Sequence, residues 1–352
     1  MSKLKIAVIG AGNIAHTHLD SYGRNPDVEI CAICDFNEES LNITGDKYNI
    51  ARRYTDVDTM LAELPELDAA SVCVWNINHA ECTIKALNAG LHVLCEKPMA
   101  YNAEQAMQMK EAADKNGKLL MIGFAMRFLD EAKVAKDFVD NGYLGDVYYS
   151  KAQYVRNHGN PGGWFANKEL SGGGPGYDLG VHVLDLTRYL MGNPKPISVY
   201  AVAEQKLGKR DNLKTGTGYN PRGASEKDPC DVEDFATALI RYDNGATTLL
   251  EAGFSIHGEG AGQKILYGTK AGMEVSNPPK LFTEINDFIA TANIEIDNYK
   301  KGAPVYDAEI NHFVDCVLKG EECISPAEDG IVIMQILDAI YKSAETGHEV
   351  IL

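Results

Sequence analysis

Ile6-Ala7-Val8-Ile9-Gly10-Ala11-Gly12-Asn13-Ile14-Ala15 is the stretch whose reading decides the fold. A short apolar run enters a Gly-x-Gly-x-x-Ala turn, and a helical stretch follows. The first two glycines permit a tight turn and close approach of backbone to a pyrophosphate. The helix behind them offers N–H groups and the positive end of its dipole. Ala15 stands where a third glycine is usual, a variant the fingerprint tolerates. Gly10, Gly12, Asn13 and Ile14 are therefore the candidate pyrophosphate cradle. Taken alone, such a strand–turn–helix can be purely structural, so its surroundings have to support the reading. The next strand-like run, 28–35, ends in Asp35, where an acid accepts hydrogen bonds from ribose hydroxyls and repels a 2′-phosphate. That predicts NAD rather than NADP; otherwise Asp35 is a solvated strand-end carboxylate.

Working outward, apolar β-rich runs at 4–10, 28–35, 69–74, 92–96 and 119–123 alternate with helical stretches, including 79–87 closed by Asn88-Ala89-Gly90. This alternation predicts a parallel sheet covered on both faces, an α/β Rossmann domain over 1–123. After Phe124 the rhythm changes. A helix is expected over 130–140, then longer strands at 146–155, 198–204, 235–242 and 246–254, with Asp243-Asn244-Gly245 as a hairpin turn. The expectation for 124–352 is a second, α+β domain with a mainly antiparallel sheet. Residues 206–230, rich in Gly, Lys, Asn and Pro, read as a long loop of active-site or subunit-contact type.

Chemistry is expected at two places. The run 91–95 leads into Glu96-Lys97-Pro98, which puts Lys97 at the carboxyl edge of a parallel sheet, where open α/β folds bind ligands. Further on, Ser171-Gly172-Gly173-Gly174-Pro175-Gly176 precedes a helical stretch carrying Asp178 and His182 one turn apart. A carboxylate beside an imidazole can fix its tautomer and tune it for proton transfer. A lone pair of this spacing is more often a solvated helix face. The glycines shift the balance, because glycine lets backbone come close to a ligand.

The Gly-x-Gly-x-x-Ala turn, Glu96-Lys97-Pro98 and Asp178-x-x-x-His182 together resemble the Gfo/Idh/MocA oxidoreductases, which include glucose–fructose oxidoreductase and inositol dehydrogenases. The resemblance covers essentially the whole chain. It implies a Rossmann domain followed by an α+β domain with a large open sheet used for oligomerisation, as a dimer, tetramer or hexamer. It also implies a nicotinamide cofactor, with Lys97, Asp178 and His182 around the reacting carbon. Asn76, His79, Glu96 and Lys97 are then expected on the cofactor side. The family's Thr-Pro-Asn-x-x-His stretch reads Val74-Trp75-Asn76-Ile77-Asn78-His79 here, and Trp75 either packs beside the cofactor or fills a core gap. Arg127 falls where the family often has an active-site arginine; an interdomain ion pair is its other reading. Residues 155–165, rich in polar and aromatic side chains, are expected to line the substrate side, with Tyr154, His158 and Trp164 as candidates.

Bulk properties narrow the partners. The 352 residues carry 33 Lys and Arg against 50 Asp and Glu, a formal net charge of -17. That disfavours nucleic acid or an anionic membrane as the main partner. No signal peptide fits the first residues, and no apolar run is long enough to span a bilayer, so a cytoplasmic protein is expected. Of the 8 cysteines, only Cys31 and Cys34 form a Cys-x-x-Cys, on a strand where they face opposite sides. Reduced, mostly buried thiols are expected, and no metal site. The function expected is NAD-dependent hydride transfer at a secondary alcohol or ketone of a sugar, cyclitol or glycoside. His182 would take the hydroxyl proton and Lys97 would stabilise the alkoxide, although sequence does not separate the two roles. A glycosidase acting through transient oxidation and elimination is the alternative. A non-catalytic nucleotide sensor is disfavoured by the presence of all three polar residues.

Overall fold

The structure, a computed structural model, describes residues 3–210, 212–214, 228–296 and 305–352. Most of the loop expected over 206–230 lies outside the described residues. The chain separates into two compact units, 3–123 with 305–334, and 124–296 with 335–352.

The first unit is built on β1 (Leu4–Ile9), α1 (Asn13–Arg24), β2 (Val28–Cys34), α2 (Glu38–Lys47), β3 (Arg53–Tyr54), α3 (Val57–Glu63), β4 (Ala69–Val72), α4 (His79–Asn88), β5 (His92–Glu96), α5 (Ala103–Asn116) and β6 (Leu120–Gly123). Its six strands pair in the order β3-β2-β1-β4-β5-β6, all parallel. The order reverses between β1 and β4, and such a switch point opens a crevice at the carboxyl ends of the strands. Every residue of β4 and β6 is buried, as continuous apolar runs in a doubly covered sheet should be. Gly10 is required by sterics: its φ is +108°, and a Cβ there would lie 2.3 Å from the Cys73 carbonyl oxygen.

The second unit contains α6 (Asp130–Asp140), β7 (Val147–Val155), α7 (Lys168–Ser171), α8 (Val181–Leu190), β8 (Pro196–Glu204), β9 (Phe235–Tyr242), β10 (Thr247–Gly253), β11 (Lys264–Gly268), β12 (Gly272–Glu274), β13 (Lys280–Ile285) and β14 (Phe288–Asn293). Two further helices follow, α9 (Val305–Lys319) and α10 (Ala327–Thr346), and then β15 (Val350–Ile351). Nine strands form a sheet in the order β14-β13-β12-β11-β7-β10-β9-β8-β15, antiparallel except for the β7–β10 pair. The β9–β10 hairpin turns at Asp243-Asn244-Gly245, with Gly245 at φ +85°. Alternation is clean: Ala236, Ala238 and Ile240 face inward on β9, while Leu239 and Arg241 face out.

Within the first compact unit, α9 packs on α1. Asp307 binds Arg24 (2.5 Å) and Ser21 (2.6 Å), and Asn311 accepts from Asn25 (2.7 Å). Past α9, Ile122 of β6 donates to the Ser325 carbonyl (3.0 Å), and the Ser325 hydroxyl donates back to the Ile122 carbonyl (2.6 Å).

Candidate active site

At the cofactor end, Gly12 opens α1 with no side-chain cap, and a Cβ on Gly12 would meet nothing within 4 Å. Asn13 is exposed and Ile14 half-buried at the mouth of that turn. Asp35 lies against the same turn. One carboxylate oxygen accepts the Ala11 N–H (2.6 Å) and the other the Asn37 N–H (2.8 Å). An open space in front of a helix N-terminus, flanked by an oriented carboxylate, fits a dinucleotide: Gly12 and α1 for the pyrophosphate, Asp35 for the ribose diol. Trp75 does not fill a core gap. It is half-exposed and meets Phe36, the residue after Asp35, edge to face, with ring centroids 5.3 Å apart.

Lys97 follows β5 directly and is joined to Pro98 by a cis bond. His79, expected on the cofactor side, is buried and used as a tether. Its Nδ1 lies 2.7 Å from the Pro98 carbonyl oxygen and its Nε2 3.2 Å from that of Val74. Burial holds this imidazole below its ordinary pKa, so it is neutral and donates to Pro98. Through that one N–H the ring ties the turn after β5 to the start of α4. Asn76 is buried beside it.

Beneath Lys97 lies a polar cluster the sequence did not announce. Glu96 accepts from the Lys97 N–H (3.2 Å), and its other oxygen is 2.9 Å from His18 Nε2. His18 Nδ1 faces the Ser71 hydroxyl (3.2 Å), which in turn meets the Tyr22 hydroxyl (2.7 Å). Burial alone would raise the Glu96 carboxyl, yet the His18 hydrogen bond and nearby charge, Lys97 included, hold it below the ordinary carboxylate value. Glu309, from α9, completes the group. It is fully buried, neither oxygen has a hydrogen-bond partner, and burial beside Glu96 pushes it well above the ordinary range. Burial therefore favours its protonated form.

The second unit carries Asp178 and His182, both half-buried, with His182 Nδ1 itself buried. The plain α-helix expected beneath them is not what forms. Gly176–Gly180 is a π-helical turn feeding α8, a rare geometry that recurs at functional sites. The role given to the preceding glycines also changes. A Cβ on Gly173 would lie 2.3 Å from the Tyr341 hydroxyl, and one on Gly174 2.4 Å from the Glu233 carbonyl oxygen. These glycines admit protein neighbours. Buried Glu233 grips the turn by accepting from Gly174 N–H (2.9 Å), Gly176 N–H (3.2 Å) and Tyr341 O–H (2.5 Å). Neither Glu233 nor Tyr341 stood out in sequence, since a carboxylate before a strand and a tyrosine in a long helix are ordinary.

The other candidates divide. Arg127, only 1% exposed, forms a bidentate pair with Asp185 (2.9 and 2.5 Å) within the second unit, flanked by the Phe124 and Tyr189 rings. It is not on an open surface. Tyr154 lies on the covered sheet face, opposite Ala252 in register, and Gly180 of the π turn packs on Ala252. The Tyr154 hydroxyl accepts from Arg156 (3.0 Å). Trp164 is half-buried and stacks on Phe165, while His158 is exposed.

Comparison with known proteins agrees with this architecture. The profile of the Gfo/Idh/MocA oxidoreductases, NAD-binding Rossmann fold, matches residues 4–124, and that of their C-terminal alpha/beta domain matches 136–352. The chain belongs to this family. It is an oxidoreductase with an NAD-binding Rossmann fold, and its relatives include sugar and cyclitol dehydrogenases. Among its Gfo/Idh/MocA relatives, a D-glucoside 3-dehydrogenase of Escherichia coli is 36% identical over 99% of this chain and 97% of its own length. A levoglucosan dehydrogenase of Pseudarthrobacter phenanthrenivorans is 27% identical, covering 73% of this chain and 69% of that one. Among solved structures, an aldose-aldose oxidoreductase from Caulobacter crescentus, complexed with glycerol, superposes with TM-score 0.82 at 27% identity over 99% of this chain and all of that one. No described helix is long and apolar enough to cross a membrane.

Proposed function

We propose that this protein oxidises a ring secondary alcohol of a glucoside or closely related sugar, with Lys97 and His182 managing the hydroxyl proton. NAD, when bound, supplies the hydride acceptor. His182 takes the proton from the substrate oxygen, Lys97 donates a hydrogen bond to that oxygen as negative charge develops, and Asp178 orients the imidazole. In the reverse direction His182 returns the proton.

The observation that carries this reading is how firmly the chain holds the residues concerned. The backbone of Lys97 is tied to Glu96 and its following turn to His79, while the Asp178 turn is gripped by Glu233 and Tyr341. Rigid support of this kind is what positioned acid–base catalysis requires. The glucoside class is supported by likeness to the E. coli D-glucoside 3-dehydrogenase over nearly the full length of both chains.

The test is an NADH-absorbance assay across alkyl and aryl glucosides, free hexoses, anhydrosugars and inositols. Stoichiometric NADH and a keto-glycoside product are expected. Release of free sugar without net NADH would instead establish the glycosidase reaction, and no turnover of any sugar would overturn the substrate class.

A further inference from the structure

We propose that His312, Cys316 and Cys323 form a binding site for a thiophilic divalent cation of the zinc type, which fastens the end of α9 to the segment joining it to α10. His312 and Cys316 are one helical turn apart on α9, so their side chains leave the same face. Cys323 comes back to them from beyond the helix end, after Gly320 at φ +71° reverses the chain. The three donor atoms, His312 Nε2 and the two Sγ atoms, all lie within 4.8 Å of one another. Zinc bound tetrahedrally, with Zn–S of about 2.3 Å and Zn–N of about 2.0–2.1 Å, requires N···S separations of about 3.6 Å and S···S of about 3.8 Å. His312 Nε2 is 3.4 Å from Cys316 Sγ, and the two thiols are close enough to share a hydrogen bond. The His312–Cys316 separation already matches the tetrahedral value to about 0.2 Å, and an ion would draw in the Cys323 sulfur from within 4.8 Å.

Chemistry and access favour the same ion. Two sulfurs and an imidazole select a thiophilic metal over magnesium or calcium. His312 and Cys323 are half-exposed, so the cluster can be reached from solvent, and Asp315 and Glu321 add negative charge around it. The connecting segment is already held in place, because Ser325 pairs with Ile122 through both backbone and hydroxyl and Pro326 bridges to Met121. Without metal, the Ile324 N–H occupies the His312 lone pair (3.1 Å). Loading therefore displaces the Ile324 hydrogen bond, expels the thiol protons and leaves the fourth coordination position to water. The pattern His-x3-Cys-x6-Cys has no second Cys-x-x-Cys to announce it, so chain spacing alone did not suggest a site.

The experiment is cobalt(II) titration of the reduced full-length protein, followed by absorption and then by zinc displacement. One equivalent is expected to bind with thiolate-to-cobalt charge transfer and tetrahedral d–d bands that zinc abolishes. Cys316→Ser with Cys323→Ser should lose both bands. His312→Gln and the half-exposed single variant Cys323→Ser, each checked for fold by circular dichroism, should lose d–d intensity and shift its maximum. An unchanged spectrum in a folded variant places the metal on other cysteines and overturns the site. So does absence of cobalt uptake by wild type, or recovery of a Cys316–Cys323 disulfide from protein that binds no metal after reduction.

Discussion

At the scale of single residues, the catalytic assignment makes the sharpest prediction. Lys97→Ala and His182→Ala should each lower kcat by roughly 100- to 10,000-fold, the usual contribution of a positioned proton-transfer group. NAD affinity should hold, because the cradle at Gly12 and α1 does not involve either side chain. Asp178→Asn should fall between them and wild type. Near-normal kcat in both alanine variants, measured on folded protein, would move the chemistry to other residues. We expect Asp35 to carry the cofactor preference: its carboxylate is already oriented by two backbone N–H groups, so NADP should bind more weakly than NAD. Calorimetric titration should show the gap narrowing in Asp35→Asn, and equal affinities in wild type would refute the idea. Glu309 predicts a pH dependence. Its folded-state pKa is raised, so its contribution is intact below the unfolded value of about 4.3 and is lost as pH rises through the folded value, at about 1.4 kcal/mol per pH unit. Glu309→Gln should therefore gain on wild type in urea midpoint as pH climbs, with the advantage vanishing in acid. A pH-independent difference would mean that Glu309 is not the buried acid described here.

At the scale of elements, two clamps decide where the polar side chains sit. His79, at the start of α4, ties down the turn after β5, and Glu233 with Tyr341 holds the π turn ahead of α8. The second clamp leaves no room for a side chain at Gly174, where a Cβ would fall 2.4 Å from the Glu233 carbonyl. Gly174→Ala should cost about 1–3 kcal/mol, the usual penalty for overpacking, and should lower kcat because the turn carrying Asp178 is displaced. Chemical denaturation with parallel kinetics checks both. A variant as stable and active as wild type would show that the clamp is slack. Legibility at this scale was uneven. The ends of β5, β9 and α6 were readable because apolar runs stopped by Pro98, Asn244-Gly245 and Asn141-Gly142 mark them. The π turn was not, because an inserted residue leaves apolar spacing nearly unchanged over a single turn.

At the scale of the whole molecule, the nine-stranded sheet presents an outward face with Tyr200, Val202 and Leu239 exposed at 49%, 40% and 44%. Tyr200 and Leu239 are register partners on β8 and β9, so they form one patch. Apolar side chains in a continuous patch on an open sheet favour self-association, and we expect a homo-oligomer built on this face. Light scattering at micromolar concentration should show a mass above 38.4 kDa, reduced towards the monomer in Leu239→Glu. A wild-type monomer would contradict the expectation.

The sequence by itself determined the Rossmann half, the mainly antiparallel second sheet and the cofactor class, and it singled out the three polar residues proposed for proton chemistry. Those follow from short-range facts: alternation of strand and helix, glycines where backbone must turn, and an acid at the end of the second strand. Only the tertiary structure decided what those residues lean on. It brought α9 back onto α1, put Glu309 beside Glu96 and His18, turned His79 inward to Pro98, and gave Arg127 to Asp185. It also drew Cys323 to His312 and Cys316. Partners such as Glu96 and Glu309, more than 200 positions apart in the chain, leave no periodicity to read. A buried polar group takes whichever neighbour the packed core delivers, and that neighbour is known only once the chain has closed.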